Sequence, residues 1–246
     1  MEKVNNFVLD NVLNRAKACL ASKQTCTFIF DLDSTLFCVS PRTEKILKNF
    51  ANQNHIKTKY PDAAHKMRSL SATPNDWGIK TILNRHDIKE TLGFFEAVRE
   101  YWIEQFFSNH HLNEDTPYPG AIEFVKYASD LGIEIQYLTG RDRIRMETGT
   151  LTSLAQYGLP LKKSSFLNMK PDKSYDDSDY KVDFFKHYSG DLSHCWFFEN
   201  EPFIIHQVKR TVPELNIIFM NSVHSGRANP PPEIPHIHFE WNFTRD

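Results

Sequence analysis

Residues 25–37 read Thr25-Cys26-Thr27-Phe28-Ile29-Phe30-Asp31-Leu32-Asp33-Ser34-Thr35-Leu36-Phe37. The first six are β-branched, small or aromatic with no polar alternation, as in a parallel strand covered on both faces. The strand predicted here stops abruptly at Asp31. Two carboxylates two residues apart after a buried apolar run need compensation. A solvated loop or a helix cap would supply it, and so would a divalent cation. Mg²⁺ is commonly held by one or two carboxylates together with waters and substrate phosphate.

Three further stretches resemble that strand: Ile133 to Leu138, Cys195 to Phe198 and Ile217 to Met220. Helical patterns precede the first two, over Ala121 to Leu131, closed by Gly132, and over Val182 to Tyr188. Short apolar strands alternating with helices predict βαβ units with right-handed crossovers. The expected fold class is therefore α/β, a three-layer Rossmann-like parallel sheet. Val4, Phe7, Val8, Val12 and Leu13 add an amphipathic helix at the amino terminus. Between the first strand and Tyr118-Pro119-Gly120 lie about eighty residues without a comparable strand, longer than a compact domain leaves unstructured. Ile88, Leu92, Phe95, Val98, Trp102 and Phe106 follow helical spacing there, and 45–54 and 62–70 read as shorter helices. The expected division is a core of residues 1–39 and 116–246 and a mostly α-helical insert of residues 40–115. That insert would stand over the carboxyl end of the first strand, where open α/β sheets bind ligands. Residues 225–235, with Pro230-Pro231-Pro232, read as an extended loop before the finish His238 to Trp241.

The chain has 246 residues, 29 Lys+Arg against 31 Asp+Glu, a formal net charge of −2, and 40% hydrophobic residues. This composition excludes collagen-like, low-complexity and bulk-disordered classes. The near-zero charge offers nucleic acid or an anionic membrane no general attraction. Cys19, Cys26, Cys38 and Cys195 are widely spaced without a CxxC pair, which suggests neither a zinc framework nor a disulfide scaffold. The amino terminus has no apolar signal core, and no stretch approaches the ~20 apolar residues of a membrane span. The expectation is a cytoplasmic protein without a membrane partner. Eleven histidines, His110-His111 and His236-Ile237-His238 among them, carry no HExxH-like spacing and read as ordinary surface or partly buried residues. His224-Ser225-Gly226-Arg227, just after the fourth strand, is a candidate substrate contact.

FIFDLDSTLF resembles the first motif of the haloacid dehalogenase-like (HAD) hydrolase superfamily, an apolar strand followed by DxDx(T/V), with Asp31, Asp33 and Thr35 on the pattern. The resemblance implies that Asp31 attacks phosphorus to form an aspartyl-phosphate. Asp33 would protonate the leaving group and then activate water. An acid at the second position favours phosphoryl over carbon chemistry. Thr139-Gly140-Arg141 after the second strand matches the second motif, with Thr139 and Gly140 at the phosphoryl oxygens. Arg141 could reach the phosphate bidentately or form a surface salt bridge. Two residues compete for the third-motif lysine: Lys181, which opens a helix 18 residues (199 − 181) before Glu199, and Lys170 in Lys170-Pro171, with Lys181 favoured. The fourth motif departs from the usual aspartates, since the third strand runs into Glu199-Asn200. By resemblance the phosphate-binding residues are Ser34, Thr139, Gly140, Arg141 and Lys181. Ser34 is no serine-hydrolase nucleophile, for no G-x-S-x-G surrounds it. Mg²⁺ would be the cofactor, held by Asp31, Asp33 through its backbone carbonyl, and Glu199. The insert occupies the place of a helical type-one cap, which implies a small phosphorylated substrate. A phosphoprotein such as a phosphotyrosine chain, a catalytically weak phosphate-binding module, and an enzyme of nucleic-acid ends are alternatives, the last disfavoured by charge.

Overall fold

The described residues of the computed structural model are 2–89, 93–161 and 166–245, with side chains from residue 7 onward. The chain runs through α1 (Glu2–Ala21), β1 (Thr27–Phe30), β2 (Phe37–Cys38), α2 (Ser40–Asn52), α3 (Asn54–Lys59), α4 (Pro61–Arg68), α5 (Gly78–Arg85), α6 (Phe94–Phe106) and β3 (Thr116–Pro117). It continues through α7 (Ala121–Asp130), β4 (Glu134–Asp142), α8 (Arg143–Gln156), β5 (Leu167–Lys170), α9 (Asp177–Lys186), β6 (Cys195–Glu199), α10 (Pro202–Thr211), β7 (Asn216–Met220) and β8 (His236–Ile237).

Six strands form one sheet in the order β5-β4-β1-β6-β7-β8, and every pairing is parallel. β1 is central because Phe28, Ile29 and Phe30 have no exposed surface and need cover on both sides. Alternate residues along the strands supply the two faces. Phe28, Phe30, Trp196 and Phe198 join α1 and α7 in one core, while Ile29, Phe197, Ile217 and Phe219 join α9 and α10 in the other. Each such side chain contributes about 1.5–3 kcal/mol by leaving water. The carboxyl-terminal Trp241 is fully buried against Phe30, Phe124 and Phe198, so the finish of the chain belongs to the core. Among the described residues no helix is long and apolar enough to cross a membrane.

The chain leaves the sheet after β1 and returns before α7 through a two-stranded antiparallel stem, β2 with β3. Helices α2 to α6 lie between those strands and pack around their own apolar cluster, which includes Leu47, Phe50, Met67, Ile82, Phe94 and Val98. The pattern from Ile88 to Phe106 predicts one long helix, whereas α6 begins only at Phe94. Gly93 precedes it in the left-handed region at φ 74°, which an α-helix cannot continue through. Residue 92 of that pattern lies outside the described residues. β5, β8, α8 and α10 were not expected. β4 also runs further than predicted, through Thr139 and Gly140 to Asp142, with a shift in its register against β5 between Thr139 and Asp142.

Candidate active site

The carboxyl ends of β1, β4 and β6 meet at one point. The Asp31 N–H donates to the Phe198 carbonyl at 3.0 Å, which extends the β1–β6 ladder by one residue and fixes the aspartate beyond the strand. A tight turn follows, in which the Leu32 carbonyl accepts from the N–H groups of Thr35, Leu36 and Phe37. Ser34 takes the left-handed conformation there, at φ 63°. Its N–H donates to the Phe37 carbonyl at 2.7 Å, and its own carbonyl accepts from Ser222 Oγ at 2.5 Å. Ser34, expected to bind phosphate, thus uses its N–H within the turn and its carbonyl to hold Ser222.

Lys181 and Asp31 are 150 residues apart, yet Lys181 Nζ donates to Asp31 Oδ1 at 2.7 Å and to Glu199 Oε2 at 2.6 Å. Lys181 is 2% exposed, Asp31 4% and Glu199 1%, so the three charges hold one another out of water. Lys170 is placed elsewhere. It pairs with Asp177 and donates to the Tyr175 carbonyl at 3.0 Å, tying β5 to the start of α9. Burial pushes the Asp31 carboxyl above the usual range and Glu199 up to about 7, against the pull of Lys181. Burial works the other way on Lys181, but its two carboxylates outweigh it and hold the ammonium well above its ordinary value. Thr35 Oγ1 lies 2.8 Å from Asp31 Oδ2 and 3.2 Å from Asn200 Oδ1. Having one proton, it satisfies one of those oxygens at a time.

Asp33 takes part in a second group of buried charges. Arg141 Nη2 donates to Asp33 Oδ1 at 2.6 Å and to Asp115 Oδ2 at 2.9 Å, its Nε lies 3.2 Å from both Asp33 oxygens, and its Nη1 reaches Thr150 Oγ1 at 3.2 Å. Arg42 Nη2 donates to Asp33 Oδ1 at 2.8 Å and its Nη1 to the Phe106 carbonyl at 3.2 Å, while its guanidinium stacks on the Phe106 ring at 3.9 Å. Arg42 Nε stands 3.0 Å from Asp115 Oδ1, but neither atom gains a hydrogen bond from the contact. Burial raises the Asp33 carboxyl, yet Arg141 and then Arg42 overcome it and hold the group well below the carboxylate range. Asp115 faces the same arginines from a fully buried position, and there burial prevails, raising it to about 6.

These contacts correct the expectation for Arg141. Its side chain is 1% exposed and turned to Asp33, Asp115 and Thr150, so it is neither a surface salt bridge nor, in this arrangement, open to a phosphate. Thr139 is buried, and its Oγ1 accepts from the Arg141 N–H at 3.2 Å, leaving the hydroxyl proton for another partner. Gly140 is needed for close packing, because a Cβ there would stand 2.5 Å from Asp177 Oδ2. Of the side chains expected at a metal, Asp31 and Glu199 meet on Lys181 Nζ. Among the described residues no three His, Cys, Asp or Glu side chains form a group able to hold one. The Asp33 carboxylate belongs to the arginines. Glu199 Oε1 accepts from the N–H groups of Asn200 and Glu201 at 2.9 and 3.0 Å while its Oε2 holds Lys181. Asn200 Oδ1 and Asp31 Oδ2 share the Thr35 hydroxyl instead.

Sequence reasoning missed Arg42, Asp115 and Thr150. A signal existed for the first. Arg42, Ile46 and Phe50 recur at a spacing of four, which places a charge on the buried face of α2. His224 and Arg227 do not join the described contacts with Asp31 or Asp33. The His224–Arg227 loop is anchored by Glu201, whose carboxylate accepts from the Ser225 N–H and hydroxyl at 2.9 and 2.8 Å.

The parallel α/β sheet thus presents two aspartates beyond its central strand, with a buried lysine between the first and a neighbouring acid. A sequence family described as HAD superfamily, subfamily IIIB (Acid phosphatase), matches residues 80–191, a span that includes Asp115, Thr139 and Lys181 but not Asp31 or Glu199. No curated protein matches the chain. The solved structure of a predicted phosphoglycolate phosphatase from Haemophilus somnus superposes with a TM-score of 0.51 at 12% identity, over 82% of this chain and 88% of that one. A haloacid dehalogenase-like family protein from Streptococcus pneumoniae gives 0.49 at 12% identity, over 87% and 93%. A HAD-hydrolase from Bacillus subtilis bound to magnesium gives 0.48 at 13%, over 87% and 94%. The family model covers less than half of the chain, and the likeness to the solved structures is one of fold.

Proposed function

We propose that the protein hydrolyses small phosphomonoesters through an aspartyl-phosphate on Asp31, with Mg²⁺ as cofactor. The observation that carries this reading is the Asp31 carboxylate itself, fixed beyond β1, buried, and held by Lys181 and Thr35. An Asp31 oxygen attacks phosphorus as the bond from phosphorus to the ester oxygen breaks, and Asp33 gives that oxygen its proton. Asp33 then takes a proton from water, the resulting hydroxyl attacks phosphorus, and the Asp31–phosphorus bond breaks to release inorganic phosphate. Its two arginines favour ionised Asp33, the form this second half needs. Lys181 and the Thr139 hydroxyl are the groups proposed to bind the transferring oxygens, with Gly140 giving the close approach.

Beside Asp31 Oδ2 stand the oxygens of Thr35 and Asn200, the donor type that suits Mg²⁺. Asp31, the backbone carbonyl of Asp33 and Asn200 would hold it, and Glu199 would act through Lys181. When bound, the ion neutralises charge on the transferring phosphoryl group. With a neutral amide at Asn200, only one side-chain carboxylate of that set is charged. That same feature favours the second reading, a phosphate-binding module with little turnover. Inorganic phosphate release from para-nitrophenyl phosphate, phosphosugars, nucleotides and phosphotyrosine peptides, with and without Mg²⁺, separates the two. Metal-dependent release that Asp31→Asn abolishes is the expected result. No release from folded protein supports the binding module, and equal release by Asp31→Asn contradicts both.

A further inference from the structure

Three buried charges surround the proposed acid, Asp33, and the four groups have unequal origins in the chain. Asp33 and Arg141 come from the sheet, beyond β1 and near the end of β4. Arg42 comes from the first turn of α2, where the chain enters the helical insert. Asp115 is the last residue before β3, where the chain leaves it. Both chain crossings of the insert therefore place a charged side chain against the core, and each is sealed: the side chains of Arg42 and Asp115 are 0% exposed and that of Arg141 is 1%. Only Asp33, at 29%, can be reached from outside.

The four are joined as a ring. Asp115 takes Arg141 Nη2 on one oxygen and stands against Arg42 Nε with the other, and both guanidinium groups converge on Asp33 Oδ1 at 2.6 and 2.8 Å. Two planar forks on one carboxylate oxygen leave the group little rotational freedom. The ring also uses side chains that cannot touch a substrate. Among the described residues the charged groups in contact with Asp115 are the two arginines, so whatever it does for the reaction passes through them.

We infer that Arg42, Asp115 and Arg141 are positioning residues that aim Asp33 at the leaving-group oxygen, so that the seating of the helical insert sets the direction of the acid. The inference rests on the proposed phosphatase reading, since it needs a leaving group that receives a proton. It assigns Arg141 a task other than phosphate binding and gives Arg42 and Asp115, at the entry to and exit from the insert, a role in the chemical step.

The test compares phenyl phosphate with para-nitrophenyl phosphate, which have similar shape but differ in how much the departing oxygen needs a proton. The ratio of their kcat/KM values is independent of how much of a variant is folded. Asp33→Asn is the reference. It should lose about 10²–10⁴-fold on phenyl phosphate, the usual contribution of a general acid, and much less on the nitrophenyl ester. Asp115→Asn, which removes the charge joining the arginines, and Arg42→Lys, which keeps charge but loses the fork, should each shift the ratio in the same sense. A shift of about 10–100-fold is expected of a misaimed group. Adding Asp115→Asn to Asp33→Asn should leave the ratio of the single Asp33 variant unchanged. A wild-type protein that hydrolyses both esters, with Asp33→Asn shifting the ratio and Asp115→Asn and Arg42→Lys leaving it where it was, overturns the inference and spares the functional reading. Release from neither ester by the wild type, in ample Mg²⁺, overturns that reading and the inference with it.

Discussion

Lys181 carries a full charge to a place where 2% of its surface meets solvent, and two carboxylates offset the cost. Neither member of such a group can be lost quietly, because the partners stay buried. Lys181→Met is accordingly predicted to destabilise the fold by about 3–5 kcal/mol, as breaking a buried pair does. Glu199 and Asp31 would then face each other unpaired, and their raised proton affinities would let one neutralise by binding a proton. Urea unfolding at pH 8 against pH 6 checks this: the loss should be smaller at the lower pH, and an equal loss at both contradicts it. The lysine was legible in the sequence as one of two candidates, by its spacing from Glu199. Its partners were less so. A hydroxyl two residues beyond Asp33 gave Thr35 away as part of a pattern, but its sharing between Asp31 and Asn200 depends on how the β1 and β6 ends lie side by side. The partners of Arg141 were not legible for a related reason. An arginine after a strand points to an anion, and nothing local tells a phosphate from the aspartates at positions 33 and 115.

At the scale of elements, the apolar strands were readable because each is short, aromatic or β-branched, and bounded by polar residues. β5 was not, since Leu167-Asn168-Met169-Lys170 has two polar residues and half of it stays partly open at the sheet edge. α8 hid for the opposite reason: Arg143 to Gln156 buries only Met146, Thr150, Ser153 and Leu154, too few apolar positions to draw a helical stripe. The junction of β4 with α9 shows how elements carry the site. Asp177 opens α9 four residues before Lys181 and its carboxylate sits over Gly140. A methyl at Gly140 would stand 2.7 Å from Asp177 Cγ, so the half-exposed Asp177 side chain must swing aside and give up its pairing with Lys170 at the start of α9. Gly140→Ala is predicted to cost about 1–3 kcal/mol by overpacking and to lower phosphate release. Asp177→Ala in the same chain should recover both, measured by thermal unfolding and initial rates. A double variant no better than Gly140→Ala alone would show that the contact is not the cause.

For the whole molecule the buried carboxyls set a dependence of stability on pH, and their signs differ. Glu199, raised to about 7, and Asp115, raised to about 6, bind protons more tightly folded than unfolded. Their contribution is fully present below the unfolded values, near about 4, and is lost as pH rises through the folded ones. Asp33 acts in reverse. Held low by its arginines, it contributes above its unfolded value and loses that contribution as pH falls toward the folded one. The melting temperature should therefore rise as pH is lowered from about 8 to about 5 and fall again below about 4. Glu199→Gln should flatten the upper limb, and an upper limb of unchanged slope in that variant would contradict the assignment. The same charges join the insert to the sheet, so the insert's own apolar cluster and the sheet's cores meet through ions at the point where the chemistry is proposed.

The central claim is that phosphorus becomes bonded to Asp31. It is tested most directly by quenching the protein during turnover of para-nitrophenyl phosphate with Mg²⁺, reducing with borohydride, and sequencing the peptide around residue 31 by mass. The account predicts that residue 31 is recovered as homoserine, the product of reducing an acyl phosphate, only when ester and Mg²⁺ are both present. Phosphate release with residue 31 recovered wholly as aspartate would contradict it.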